Sequence, residues 1–99
     1  MAKFDFYRNA GGVGYLLDCQ ANLLASLNTR FVVPLLPLDA APTPAGRLNP
    51  VFDIAGIKHS MVTQFAAAIP VNLLREKVGS LGPDEIAIGN AIDMLLAGY

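Results

Sequence analysis

The chain has 99 residues, of which 54% are apolar and 15% are charged, and its formal net charge is -1 at pH 7. We expect residues 1–99 to form a single domain, and the lack of a net positive charge argues against direct binding of nucleic acid. The apolar fraction is high for so small a domain, so we expect another chain to cover part of the surface.

The apolar residues do not form a membrane-spanning segment. The longest apolar stretches, residues 31–38 and 65–71, are far shorter than the ~20 residues that a spanning helix needs. The first residues lack the long apolar core of a signal peptide. Cys19 is the only cysteine, which excludes an intrachain disulfide and fits a reducing compartment. We therefore expect a cytoplasmic protein with no membrane partner.

The N-terminal part of the sequence is typical of β-structure. Residues 3–8 predict a short strand with Asp5 on the face opposite its phenylalanines. Residues 9–14 predict a hairpin turn, followed by a second strand at residues 15–20. The glycines of this turn do not indicate a phosphate-binding loop, because no Lys-Ser or Lys-Thr pair follows and the next segment is typical of a strand.

The middle of the chain predicts more strands around one long loop. Residues 30–36, which are continuously apolar after Arg30, predict a strand buried on both faces, in which Pro34 indicates a sheet edge or a bulge. Residues 37–50 contain several prolines and predict a mobile, irregular loop. Residues 50–63 predict a hairpin around an Ala-Gly turn, and residues 68–71 predict a short strand or an extended piece.

The last segment predicts a helix. Residues 82–85 supply a glycine, a proline and two acidic side chains that suit its start, and Gly98 suits its end. The apolar stripe that we expect to pack on the sheet consists of Ile88, Ala91, Ile92, Leu95 and Tyr99. Asp93, Leu96 and Ala97 project elsewhere, which leaves Leu96 as an apolar side chain away from the core.

Candidate reactive side chains are few and scattered. His59 and Cys19 are single, so one chain cannot form a His/Cys metal cluster, and we expect neither a metal nor a cofactor. The sequence alone allows a Cys19–His59 nucleophile pair, but the apolar neighbours of Cys19 favour an inert buried thiol. Arg30 with Thr29 could in principle help to cleave RNA, but no histidine or carboxylate lies near them in the sequence, which favours a salt bridge between neighbouring strands for Arg30. We assign no catalytic residue.

Several of these segments also match a known family in their order and spacing. They are Asp18-x-Gln20, Leu23-Leu24, residues 29–35, Pro50-Val51, and residues 61–63, 69–71, 88–93 and 98–99. Together they resemble the CcdB-type toxins over nearly the whole chain except residues 39–49. The resemblance implies a mainly β fold with a C-terminal α-helix. Its antiparallel sheet has about five strands with a small second sheet, and the fold is related to the MazF and Kid toxins.

The resemblance also implies a function and its partners. It implies the toxin of a toxin–antitoxin module, a homodimer that binds the A subunit of DNA gyrase and traps the enzyme on cleaved DNA. Such a toxin inhibits a topoisomerase by protein binding and is not itself an enzyme. It is neutralised by a CcdA-like antitoxin, whose disordered segment folds onto the toxin. The gyrase-contacting positions of the family fall on Leu23, Leu24, Asp93, Leu96, Ala97, Gly98 and Tyr99.

One position departs from the family pattern. The resemblance places at Ala97 a tryptophan that stacks on a gyrase arginine, and this chain contains no tryptophan. The loss of such an anchor typically costs ~2 kcal/mol or more of binding free energy. Tyr99 is the candidate replacement ring. Leu23 and Leu24 are equally open to a role in the core.

Two alternative functions therefore stay open beside the gyrase-directed toxin. The first is a CcdB-like protein that has lost or altered its target and binds the antitoxin without being toxic. The second is a MazF-like ribonuclease on the same fold, for which Arg30 is the residue to test.

Overall fold

The computed structural model describes residues 2–98 of the chain. Within this part the chain forms seven β-strands and one α-helix, joined by turns that include several short 3-10 segments. In chain order they are β1 (Asp5–Arg8), β2 (Tyr15–Asp18), β3 (Thr29–Pro37), β4 (Val51–Ile54), β5 (Ile57–Met61), β6 (Ala67–Pro70), β7 (Lys77–Ser80) and α1 (Glu85–Ala97).

The strands form one antiparallel sheet in the order β4-β5-β3-β2-β1-β7, with β6 joining from the side. β5 and β6 follow one another along the same edge of β3, where Met61 lies opposite Leu35 and Ala67 lies opposite Val32. The 3-10 turn Thr63–Phe65 separates them. The predicted mainly β fold with a C-terminal helix is thus confirmed, and across residues 2–98 the short outer strands bring the count to seven.

Pro34 indicates a sheet edge or a bulge, and of these the sheet edge is excluded, because Pro34 lies in an inner strand. Its partner in β2 is Leu16, and on the other side its carbonyl accepts a hydrogen bond from the N–H of Val62 at 3.0 Å. Val62 lies in the break between β5 and β6. A proline has no N–H to donate, and here the missing donor faces the break in the neighbouring ladder. Because the neighbouring ladder is interrupted at this point, the inner strand tolerates a proline as a sheet edge would.

Buried side chains lie on both faces of the sheet. The larger core lies between one face and α1, and it consists of Phe4, Phe6, Leu17, Cys19, Val33, Leu35, Phe52, Ile54, Met61, Leu81, Ile88 and Ala91. A smaller cluster of Tyr7, Val32 and Leu74 covers part of the other face. Asp5 lies on this second face, as predicted, but it is buried. Its carboxylate accepts the N–H of Ala2 at 3.0 Å and lies 3.3 Å from the ammonium group of Lys77.

The long connection before β4 is irregular, as predicted, and its end is held by one buried side chain. The amide nitrogen of Asn49 donates to the carbonyl of Met61 at 3.1 Å and to the side chain of Gln64 at 2.8 Å. Its amide oxygen accepts the N–H of Ala45 at 3.0 Å. These bonds place the 3-10 turn Gly46–Leu48 against α1.

The helix begins after the 3-10 turn Gly82–Asp84 and ends in a left-handed residue, Gly98, with a φ of 80°. Ile88 and Ala91 are completely buried and Ile92 is half-buried. Leu95 is 40% exposed, so the prediction that it packs on the sheet was wrong. The core beneath the helix ends one turn earlier than the apolar stripe does. Among the described residues, no helix combines the length and hydrophobicity that crossing a membrane requires.

Candidate protein-binding site

The first candidate region is the connection between β2 and β3. Leu23 and Leu24 lie on the 3-10 turn Asn22–Leu24, where their side chains are 92% and 46% exposed. The core role that the sequence left open for them is therefore excluded. Leu27 is a further exposed apolar side chain in the same connection. Residues 19–29 contain no charged side chain, so the exposed leucines of this connection lie among uncharged neighbours in the sequence. We call residues 21–28 the leucine turn.

The leucine turn is held by one polar side chain. The amide oxygen of Gln20 accepts the backbone N–H of Phe31 at 3.0 Å. Its amide nitrogen donates to the carbonyl of Thr29 at 3.0 Å and to that of Leu24 at 3.2 Å. A single carboxamide therefore connects the start of β3 to the turn. In the sequence, Gln20 is recognised only as part of a family motif, and no structural role is predicted for it.

The second candidate region is the end of α1. Leu96 is 75% exposed, and Asp93 and Ala97 are exposed as well. The orientation predicted for these three residues, away from the packed face of the helix, is confirmed. Gly98 is exposed and closes the helix with a hydrogen bond from its N–H to the carbonyl of Met94 at 3.1 Å. Tyr99, which the resemblance adds to this group, lies outside the described residues.

The two regions are on separate elements of the chain. Within residues 2–98, no hydrogen bond joins the leucine turn to α1. The sequence groups Leu23 and Leu24 with the helix end only through the family resemblance.

Arg30 does not lie at the surface. Its side chain is completely buried and donates from Nε to the carboxylate of Asp18 at 3.1 Å, with a second bond from Nη2 to the same oxygen. Of the two roles that the sequence left open, the structure shows the salt bridge between neighbouring strands. A guanidinium group that solvent cannot reach is not placed to stabilise the charge on an RNA phosphate.

The Cys19 thiol is buried, and the His59 ring contacts other groups. Burial raises the pKa of the Cys19 thiol to about 12, so the reactive thiolate is scarce at neutral pH. The Nδ1 atom of His59 lies 2.8 Å from the carbonyl of Ile57, and its ring lies against Tyr15 with centroids 5.2 Å apart. In the part of the chain that the structure describes, no three His, Cys, Asp or Glu side chains are grouped as metal ligands would be.

The comparison with known families agrees with the fold and with the order of these segments. A family model described as CcdB protein matches residues 3–98 of the 99-residue chain. The match spans the sheet, the leucine turn and α1, which together carry both candidate regions. The chain belongs to the CcdB family, which supports a toxin of a toxin–antitoxin module.

Proposed function

We propose that this protein is a cytoplasmic toxin that acts as a homodimer by binding the A subunit of DNA gyrase and trapping the gyrase–DNA complex. A CcdA-like antitoxin would neutralise it by covering the toxin surface. Membership of the CcdB family supports the toxin class. The finer proposal, with gyrase as the target, assigns the contact surface to Leu23, Leu24, Asp93, Leu96, Ala97, Gly98 and Tyr99.

The observation that carries the proposal is the exposure of large apolar side chains at both regions. The fold covers almost none of Leu23 and little of Leu96. Removing a leucine side chain from water stabilises a complex by about 1.5–3 kcal/mol. An uncharged leucine turn and the bare end of a helix are therefore suited to burial against another protein.

The homodimer is supported by the apolar surface that remains elsewhere on the single chain. Ile57, Phe65 and Val78 are also exposed and lie on other elements. A second copy would cover part of this surface, which agrees with the high apolar fraction of the sequence. Light scattering on the purified protein measures the mass, and a monomer at micromolar concentration would contradict this part of the proposal.

The test of the target is growth. The chain is expressed from an inducible promoter in cells with normal gyrase and in cells whose gyrase A subunit lacks the arginine that the family contacts. We expect growth arrest in the first strain only. Equal arrest in both strains would show that the target is different. Harmless expression in both strains, with tight binding of the antitoxin, would favour the non-toxic antitoxin binder.

Matched variants locate the surface. Leu96 and Ile86 lie on the same helix and are 75% and 76% exposed. We expect Leu96→Ser and Leu23→Ser each to weaken binding to purified gyrase A subunit about tenfold or more, from the lost burial of one leucine. Ile86→Ser, at the other end of the helix, should leave the affinity within about twofold. Equal losses from Leu96→Ser and Ile86→Ser would mean that the helix end is not the contact.

A further inference from the structure

We propose that Gln20 is a positioning residue for partner binding, because its side-chain amide holds the leucine turn in its binding shape before a partner arrives. This inference rests on the proposed function and adds a residue that does not itself belong to the contact surface. It is carried by the three hydrogen bonds of one carboxamide.

The amide of Gln20 continues the β2–β3 ladder beyond the last backbone pair. Asp18 is the last residue of β2, and the N–H of Cys19 still donates to the carbonyl of Phe31 at 2.9 Å. Past this point the backbone of the turn leaves β3. The Gln20 side chain then pairs with the N–H of Phe31 and the carbonyl of Thr29, two groups that would otherwise lack a strand partner.

The third bond reaches into the turn itself. The carbonyl of Leu24 accepts from the amide nitrogen of Gln20 at 3.2 Å and also from the N–H of Leu27 at 3.1 Å. Every residue from 21 to 28 is exposed, so side-chain packing contributes little to the shape of the turn. In a segment with few buried apolar contacts, hydrogen bonds decide how often the native shape is present.

The amide is anchored on a rigid base. The backbone N–H of Gln20 donates to Asp18 at 3.1 Å, and Asp18 is fixed by the buried guanidinium of Arg30. Gln20 itself is half-buried, and its bond to the N–H of Phe31 is partly buried, whereas its bonds to Thr29 and Leu24 are exposed. Asn22 adds a second restraint, because its side-chain oxygen accepts the N–H of Lys3 at 2.7 Å. The turn is thus tied to β3 by Gln20 and to the N-terminal segment by Asn22.

A turn that is released from this restraint is competent to bind for only a fraction of the time. The apparent dissociation constant then rises by the inverse of that fraction, and the loss appears in the association rate. Removal of a direct contact instead acts mainly on the dissociation rate. The two roles therefore give different kinetic signatures.

The experiment compares Gln20→Met with Gln64→Met, a substitution at the other glutamine of the chain, whose amide bonds to Asn49. Association with and dissociation from immobilised gyrase A subunit are measured for both. We expect Gln20→Met to associate about tenfold more slowly with a dissociation rate within about twofold, and Gln64→Met to behave as the wild type. Leu23→Ala should instead dissociate faster. An unchanged association rate for Gln20→Met would overturn the positioning role.

Hydrogen exchange supplies a readout that needs no partner. In the turn, the N–H groups of Leu24, Ala25 and Leu27 donate to backbone carbonyls at 3.0–3.1 Å. These amides should exchange faster in Gln20→Met, while those of the core strands keep their protection. Unchanged exchange in the turn would also contradict the inference. If Leu23→Ala binds gyrase as the wild type does, the proposed contact surface is contradicted, whereas the restraint of the turn by Gln20 is not.

Gln20→Glu gives a second, reversible variant. A carboxylate keeps the acceptor for Phe31 but faces the carbonyls of Thr29 and Leu24 without a proton to donate. The two facing carbonyl oxygens disfavour the charged carboxylate and raise the pKa of the introduced carboxyl above the ordinary ~4.3, so a larger share of it is protonated at about pH 5 and donates one bond again. Relative to the wild type at each pH, its association should therefore be slower at about pH 8 than at about pH 5. Gln20→Met should show no such dependence, and an equal pH response of both variants would oppose the inference.

Discussion

Arg30 donates hydrogen bonds from Nε and Nη2 to one carboxylate oxygen of Asp18, and solvent reaches neither side chain. The two residues lie on neighbouring strands, because Asp18 ends β2 and Arg30 is the second residue of β3. The other oxygen of Asp18 accepts the backbone N–H of Gln20. Burial strengthens the attraction within the pair, and it also means that removal of one partner leaves a charge in the interior without compensation.

Single substitutions in this pair should therefore cost more stability than the double substitution. We expect Arg30→Met or Asp18→Leu alone to lower the free energy of unfolding by about 3–5 kcal/mol. The double variant replaces both charges by apolar groups and should lose less than either single variant. Urea unfolding measures the three values, and strictly additive losses would contradict the prediction.

Gly14 closes the β1–β2 turn in a conformation that a side chain does not tolerate. Its φ is 78°, and a Cβ atom at this position would overlap the backbone carbonyl oxygen of Leu35. We expect Gly14→Ala to lower the free energy of unfolding by about 2–4 kcal/mol. Gly11→Ala in the same turn is the control, since its Cβ would approach only Asn9 at 3.9 Å, and it should change stability by less than about 0.5 kcal/mol. Similar losses from both variants would exclude this explanation.

The β4–β5 hairpin turns through two residues with positive φ, Ala55 at 54° and Gly56 at 82°. Alanine is strained there, whereas asparagine adopts this region readily and is favoured in two-residue turns of this type. Ala55→Asn should raise the free energy of unfolding by about 0.5–1 kcal/mol, and Gly56→Ala should lower it by about 1 kcal/mol. Thermal unfolding measures both, and a Tm for Ala55→Asn below that of the wild type would refute the first expectation.

The buried thiol makes stability depend on alkaline pH. Desolvation, followed by the negative charge of Asp18, raises the pKa of the Cys19 thiol from an ordinary 9.0 to about 12. Between these values the unfolded chain loses the thiol proton while the folded chain keeps it. The contribution to stability is therefore complete below pH 9.0 and is lost as the pH rises through this range.

Relative to Cys19→Ala, the free energy of unfolding of the wild type should fall by up to about 1.4 kcal/mol per pH unit in that window. Urea unfolding of both proteins at neutral and alkaline pH gives the difference, which removes the effect of other titrating groups. Identical slopes for the two proteins would show that the thiol does not contribute.

Much of the fold could be predicted from local patterns. The turns at Gly14 and Ala55-Gly56, the run around Val33 and the periodicity of α1 each lie within a short stretch of sequence. β7 was not predicted, because Val78 and Gly79 show no alternation. The requirement at Gly79 is visible only in three dimensions, where a Cβ would lie 2.9 Å from the ring of Phe6.

Only part of the candidate site could be predicted from the sequence. The helical wheel alone placed Leu96 away from the packed face. Leu23 and Leu24 have no periodicity to indicate their exposure, because a short turn has no repeating face. The role of Gln20 depends on three backbone groups that come together only after β2 and β3 pair. A glutamine at the end of a predicted strand and before a leucine-containing turn is the signal that could have drawn attention to it.

The position of β3 determines how the chain can be divided. β3 pairs with β2 along one edge and with β5 and β6 along the other, and the irregular connection that follows it separates the chain into two comparable lengths. A cut in this connection would produce one fragment with β1–β3 and another with β4–β7 and α1. Neither fragment contains a full set of core side chains, so each would be unfolded alone, and mixing the two would restore the fold by complementation.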